Sequence, residues 1–230
     1  MTIRRFVQGD EAKTIYEEAK RTIKTEIWYD DDLKIVKGSS AFIAARIDSI
    51  VRSLGQGIRV ATLADLNDHR VMKLIRNSHY SDAPAIVFRS TKEDYNPNKE
   101  IIEELAPLVE QKMGKLRLPV LVTGFDVIPS GKNSYGLQII PREDFSVLHD
   151  ERLLGGHTGK RFSTVDKNGL PNFEENGTRT WHARDLGLSR VFINRNLDLN
   201  LNYSVGNLSR SGKDGRIILV SDSPVSAKKE

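Results

Sequence analysis

The 230-residue chain contains no cysteine. That absence excludes disulfides, thiol nucleophiles and Cys-ligated zinc, and leaves stability to packing. Long apolar runs are missing too: no stretch approaches the ~20 residues of a membrane-spanning helix. The opening segment MTIRRFVQGDEAK lacks the apolar stretch of a signal peptide. The expectation is a protein without a membrane span, cytoplasmic by default, with display on a cell or virion surface left open. No P-loop, G-x-G-x-x-G, H-E-x-x-H or G-x-S-x-G motif occurs.

What is present is an ordinary folding composition, 38% hydrophobic and 29% charged, enough for one main unit with a real core. The net charge is +4, with Lys and Arg interleaved with Asp and Glu and no basic run. A solvated mixed-sign surface accounts for that better than a nucleic-acid patch does.

Periodicity outlines an α+β fold. DEAKTIYEEAKRTIKTE puts Ile15, Ala19 and Ile23 on one face of a helix, acids early and bases late. EIWYDDDLKIVKG reads as two short strands around Asp30, Asp31 and Asp32, a polar turn in preference to a metal site. SSAFIAARIDSIVRSLGQG is a second helix with a Ser start and a Gly55 stop. A short strand and a third helix follow, with Thr62 and Asp65 at the spacing of a capping box. After the strand PAIVFRS comes a helix over NPNKEIIEELAPLVEQKMG, which Pro107 kinks or splits. LPVLVTGFDVIP and SYGLQIIP pair around SGKNS, and Asn168-Gly169 and Asn176-Gly177 mark tight turns.

Candidate chemistry is sparse. The five histidines, His69, His79, His149, His157 and His182, have no metal-pair spacing. Asp166, Asn168, Asn172, Glu174 and Glu175 depart from calcium-loop spacing and read as turn residues. No nucleophile, base and orienting group assemble, so neither an enzyme, a cofactor nor a metal is expected.

The unusual region is SRVFINRNLDLNLNYSVGNLSR, from Ser189 to Arg210. Ile193, Leu197, Leu199 and Leu201 alternate with Asn194, Asn196, Asp198, Asn200 and Asn202, as on a strand with one face in the core and one in water. Asn and Asp are poor strand formers, and such local rule-breaking tends to mark function; an irregular Asn-rich loop is the alternative. Between His182 and Val220 there is no Glu, Gln, Met or Trp and a single Lys, Lys213. Those five types are the ones a codon of form NNY cannot encode, whereas adenine changes in AAY codons yield the residues found here and never a stop.

RTWHARDLGLSRVFINRNLDLN, NLSRSGKDGR and IILVSD thus resemble the C-terminal variable region of archaeal and candidate-phylum variable proteins of diversity-generating retroelements. The resemblance covers roughly Arg179 to Asp222. It implies a C-type-lectin-like fold, two main helices on a small twisted antiparallel sheet, with an N-terminal helix and an inserted helix and hairpin. It divides the chain into an N-terminal helical extension over 1–26 and a lectin-like domain over 27–230, with the variable region at about 179–216. It implies a hypervariable surface, rewritten by an adenine-directed reverse transcriptase, that binds a protein or another macromolecule. Matching variable positions are Phe192, Asn194, Arg195, Asn196, Asp198, Asn200, Asn202, Tyr203, Ser204, Val205, Asn207, Arg210, Gly212 and Asp214, with His182 and Leu186 as additions. Gly187, Leu188, Ser189, Leu197, Leu199, Leu208, Gly215 and Arg216 match the constant scaffold. The Trp-Asn-Asp triplet of calcium-dependent sugar binding is absent, so sugar specificity is not implied. Formylglycine-generating enzymes share that fold, but no cysteine is here for their chemistry, and a fold does not transfer an activity. The competing reading is a basic nucleic-acid-binding protein using Arg184, Arg190, Arg195, Arg210, Lys213 and Arg216.

Overall fold

A computed structural model describes residues 3–23, 26–201 and 207–221. The elements, in chain order, are β1 (Arg4–Phe6), α1 (Asp10–Thr22), β2 (Trp28–Asp30), β3 (Ile35–Lys37), α2 (Ala41–Ser53), β4 (Arg59–Val60) and α3 (His69–Ile75). Then come β5 (Ser81–Phe88), α4 (Asn96–Met113), β6 (Val120–Pro129), β7 (Leu137–His149), β8 (Arg161–Val165), β9 (Pro171–Phe173), β10 (Arg179–His182), β11 (Leu188–Ile193), β12 (Leu199–Asn200) and β13 (Ile218–Val220). The fold is α+β.

Local chemistry sets the ends of the helices. The Ser40 hydroxyl accepts the Ile43 N–H at 3.2 Å and starts α2, while Gly114, at φ +78°, ends α4 in the left-handed region. Thr62 and Asp65 make the expected capping-box bonds, but these head a 3-10 turn over Asp65–Asn67, and Asp68 caps α3 through the Arg70 N–H. α4 runs unbroken through Pro107.

The main sheet has eight strands in the order β7-β6-β5-β11-β12-β10-β8-β9, antiparallel except where β12 runs parallel to β10. It is larger than the small antiparallel sheet expected, because the β6–β7 hairpin extends it on one side and β8–β9 on the other. One apolar cluster joins α1, α2 and α4 to one face, through residues such as Phe42, Ile86, Phe88 and Val122. A second, around Trp181, Val191, Ile193, Leu199 and Val220, fills the other with help from Val71 and Ile75 of α3.

The division into an extension over 1–26 and a domain over 27–230 has no counterpart in this packing. β1 pairs antiparallel with β13 in a three-stranded sheet completed by β4, and Ile15, Ala19 and Ile23 share the first cluster with α2. An amphipathic helix of this size has nowhere else to bury its apolar stripe.

Candidate functional site

The Asn-rich region is a hairpin rather than one extended strand. β11 ends at Ile193, the chain reverses through 194–198, and β12 returns antiparallel to β11. The Asn194 Oδ1 accepts the N–H groups of Asn196 at 2.9 Å and Asp198 at 3.1 Å, while Asn194 N–H donates to the Asp198 carbonyl. Leu197 takes φ +70°, a conformation the tight reversal demands. Poor strand formers stand here because a turn needs side-chain acceptors close to its own backbone.

The two-faced pattern survives the reversal. Val191, Ile193, Leu197, Leu199 and Leu201 all enter the second cluster, with Trp181 and Ala183 beside them. On the opposite face the register aligns Asp82 with Phe192, Phe192 with Asn200, and Asn200 with His182. Tyr80 and Arg190, two residues from Asp82 and Phe192, fall on the same side. β5 carries extra residues opposite Val191, a bulge that accommodates Pro84, which has no N–H for the ladder.

This face opens into a cleft of about 360 Å³ lined by residues 78–80 of the segment entering β5, residues of 190–195, and 210–214. Its floor is a buried charge network. Arg190 Nε lies 2.6 Å from Asp82 Oδ1, Arg190 Nη2 donates to Oδ2 at 2.7 Å, and the Ser39 hydroxyl donates to the same oxygen at 2.7 Å. Complete burial pushes the Asp82 carboxyl up, against the pull of Arg190 and Ser39. The Arg190 guanidinium stacks 5.3 Å from the Tyr80 ring and 4.7 Å from that of Phe192, which meet edge to face at 5.7 Å. Burial likewise raises Tyr80, with Asp82 adding to it, so the phenol stays neutral. His79 is lowered by burial and then by the nearby Arg216.

Four buried arginines hold the surrounding loops by their carbonyls. Arg179 donates to Leu197 O; Arg190 to Arg210 O; Arg216 to Lys213 O at 2.6 Å; and Arg89 to Leu201 O at 3.4 Å, its Nη1 bonding the Ser189 hydroxyl at 2.8 Å. Burial pulls Arg89 down to about 9 and Arg179 to about 10, so both stay charged at neutral pH. The 207–216 loop is also pinned where Arg216 N–H donates to Tyr80 O at 3.0 Å. Gly215 is needed there, since a Cβ would come within 2.5 Å of the Ser39 nitrogen.

Of the expected variable residues, Phe192, Asn194, Arg195, Arg210, Gly212 and Asp214 line this cleft. Asn200 and His182 continue its face, and the His182 Nε2 sits 3.9 Å from Asp198 Oδ2. Asn196 is exposed at the hairpin tip. Leu186, 42% exposed, precedes β11 and is not part of the cleft. Asn207 lies outside it as well, its Nδ2 donating to the Tyr95 hydroxyl and its Oδ1 accepting from Ser209. Asn202, Tyr203, Ser204 and Val205 lie outside the described residues.

Three of the expected variable positions also carry local structure. Asn194 and Asn207 support their own turns, and Asp198 Oδ1 accepts the Thr180 N–H of β10 at 2.8 Å. Phe192, 8% exposed, is a wall of the cleft more than a free surface residue. Sequence reasoning missed Ser78, His79, Tyr80 and Ser211, which pairing across the fold brings in from outside or between the motifs.

The other candidates resolve into structure. Asp30 accepts the Leu33 N–H and pairs with Lys37 in a hairpin turn. Asp166 accepts the N–H groups of Asn168 and Leu170 and is held by Arg152. Among the described residues, no group of three or more His, Asp or Glu is placed to hold a metal ion, and no helix is long and apolar enough to cross a membrane. The basic reading loses two of its cations: Arg190 is committed to Asp82, and Arg216 is 7% exposed with its guanidinium on backbone carbonyls. No family model, curated protein or solved structure matches the chain.

Proposed function

We propose that the protein is a ligand-binding module on a C-type-lectin-like scaffold, whose cleft and hairpin tip engage a protein or another macromolecule and are diversified by adenine-directed retroelement mutagenesis. The observation that carries this reading is how the loops are held. Arg179, Arg190 and Arg216 grip main-chain carbonyls at 197, 210 and 213, contacts that do not depend on which side chain the loop displays. Such a scaffold fixes the backbone while most outward side chains are exchanged at a cost within ~0.5 kcal/mol each. The rim residues come from the NNY-encodable set, and aromatic, Arg and Asn side chains are those that serve interfaces with varied partners. The packing of α1 and α2 against sheet strands supports the lectin-like assignment.

The test is a library with NNY codons at 195, 196, 200, 210 and 214, scored for folding by thermal melts. Most members should melt within a few degrees of the parent. A library that mostly fails to fold would sink the reading. At the nucleotide level, a near-copy of the 179–216 coding region differing only at adenines, beside a reverse transcriptase gene, is the expected companion.

A further inference from the structure

The two Asn-Gly pairs of the sequence both form turns, but the fold braces only one of them. In the first, the Asp166 Oδ1 accepts the N–H groups of Asn168 at 2.8 Å and Leu170 at 3.0 Å, and Arg152 holds the other carboxylate oxygen at 2.6 Å. The Gly169 N–H donates to the Asp166 carbonyl at 3.0 Å, and its α-carbon is wedged against the backbone of Leu63 and Ala64. Asn168 is half-buried. The second turn, over 174–177, has no carboxylate bonded to its own N–H groups. Asn176 is exposed, its side-chain amide makes no hydrogen bond among the described residues, and the Gly177 N–H reaches the Glu174 carbonyl only at 3.3 Å.

The second turn is anchored instead at its far end. The Gly177 carbonyl accepts Arg161 Nε at 2.9 Å, and a Cβ on Gly177 would come within 2.2 Å of the Phe162 nitrogen. Phe162 packs in the second cluster, and the Arg179 guanidinium lies 4.7 Å over its ring. This is the arginine whose Nε grips Leu197 O under the hairpin.

We propose that Asn176 is a site of spontaneous covalent modification, in which the Gly177 nitrogen closes on the Asn176 side chain. The nitrogen attacks Cγ and an N–Cγ bond forms. The bond from Cγ to the amide nitrogen breaks, and ammonia leaves carrying the proton that the Gly177 N–H gives up. Water then opens the resulting succinimide ring: cleavage of the new N–Cγ bond gives aspartate, and cleavage of the original peptide bond gives isoaspartate, with the chain routed through Cβ and Cγ. Nucleophile and electrophile sit on adjacent residues, so how freely the two atoms meet sets the rate. A following glycine puts no Cβ in the way, and an exposed turn closed by one long hydrogen bond opens at low cost. At Asn168 the same attack has to break the Asp166 bonds and displace packed backbone. Isoaspartate lengthens the main chain by one atom, and Gly177 has no room to shift against Phe162, so the displacement passes to the start of β10, where Arg179 stands.

The experiment incubates the full chain at mildly alkaline pH, folded and in urea, and follows peptide 168–179 by mass spectrometry. Fragmentation assigns the mass gain to 168 or 176 and separates isoaspartate from aspartate. In the folded chain Asn176 should convert at least threefold faster than Asn168, and in urea the two rates should converge. An Asn176 that stays intact while the unfolded chain converts overturns the proposal, as do equal rates in the folded chain. A preference that persists in urea overturns it too, because local sequence and not the fold would then set the order. The isoaspartate form, separated by chromatography, should exchange the Asn196 and Asp198 amides at least threefold faster than the parent, whereas Asn176→Asp, which alters charge alone, should match the parent. Unchanged exchange in the isoaspartate form would remove the link to Arg179. None of these outcomes turns on the ligand-binding reading.

Discussion

Leu197 sits at φ +70° with its side chain 7% exposed, so two opposing terms meet in one residue. A left-handed leucine stores ~1–2 kcal/mol of strain, and a buried leucine contributes more than that through packing. Leu197→Gly is therefore expected to destabilise the protein, though by less than Leu199→Ala, which relieves no strain and should cost ~2–5 kcal/mol; urea unfolding of both variants measures the order. The asparagines separate in the same way. Asn194→Ala strips two turn N–H groups of their acceptor and should cost ~1–2 kcal/mol, whereas Asn196→Ala at the exposed tip should cost less than ~0.5 kcal/mol. Equal losses would show that the Asn194 bonds do not hold the turn. Beneath the cleft, Asp82→Asn leaves the Arg190 guanidinium buried without its countercharge and should cost ~3–5 kcal/mol, most of it recovered in Asp82→Leu/Arg190→Met. A double variant as unstable as the single one would contradict that account.

The hairpin of β11 and β12 shows how an element can be rigid without depending on its own surface. Its inner residues pack in the second cluster, and its turn is gripped from below by Arg179, which also stacks 4.7 Å from the Phe162 ring. Replacing Arg179 by methionine keeps the apolar volume and removes a charge buried without a carboxylate in hydrogen-bond contact, so global stability should change little. The carbonyl contact would be gone. Hydrogen exchange at the Asn196 and Asp198 amides is expected to quicken at least tenfold in Arg179→Met with little movement of the melting temperature; unchanged exchange would show that the arginine does not order the loop.

For the whole molecule, acid is the informative perturbation. Hydrogen bonds from Arg70, Arg142 and Arg152 hold the carboxyls of Asp68, Asp144 and Asp150 below the ordinary range. Because the folded carboxyls are depressed, the unfolded chain takes up protons first as pH falls. Their stabilisation is complete above the unfolded carboxylate value of about 4 and is lost progressively below it. Asp82, raised by burial, runs the other way. The melting temperature should hold from pH 7 to about 5 and drop steeply between about 4 and 2. A profile flat through that range would remove these ion pairs from the account of stability.

The sequence by itself determined the local elements and the two faces of its unusual tail. Helix caps, Asn-Gly turns and the β2–β3 and β6–β7 hairpins follow from neighbouring residues, whose physics is short-ranged. So does the sorting of Leu197, Leu199 and Leu201 inward, since apolar side chains find a core whether the chain between them is a strand or a turn. Tertiary structure alone decided that the tail doubles back, that residues before Ile27 belong to the body of the fold, and that Tyr80, Asp82 and Ser39 meet Arg190 under the cleft. Ser39 and Asp82 stand 43 positions apart in the chain, and Asp82 and Arg190 stand 108 apart. Periodicity carries no trace of such contacts, because strand order and register are settled by which buried surfaces and charges can be satisfied together.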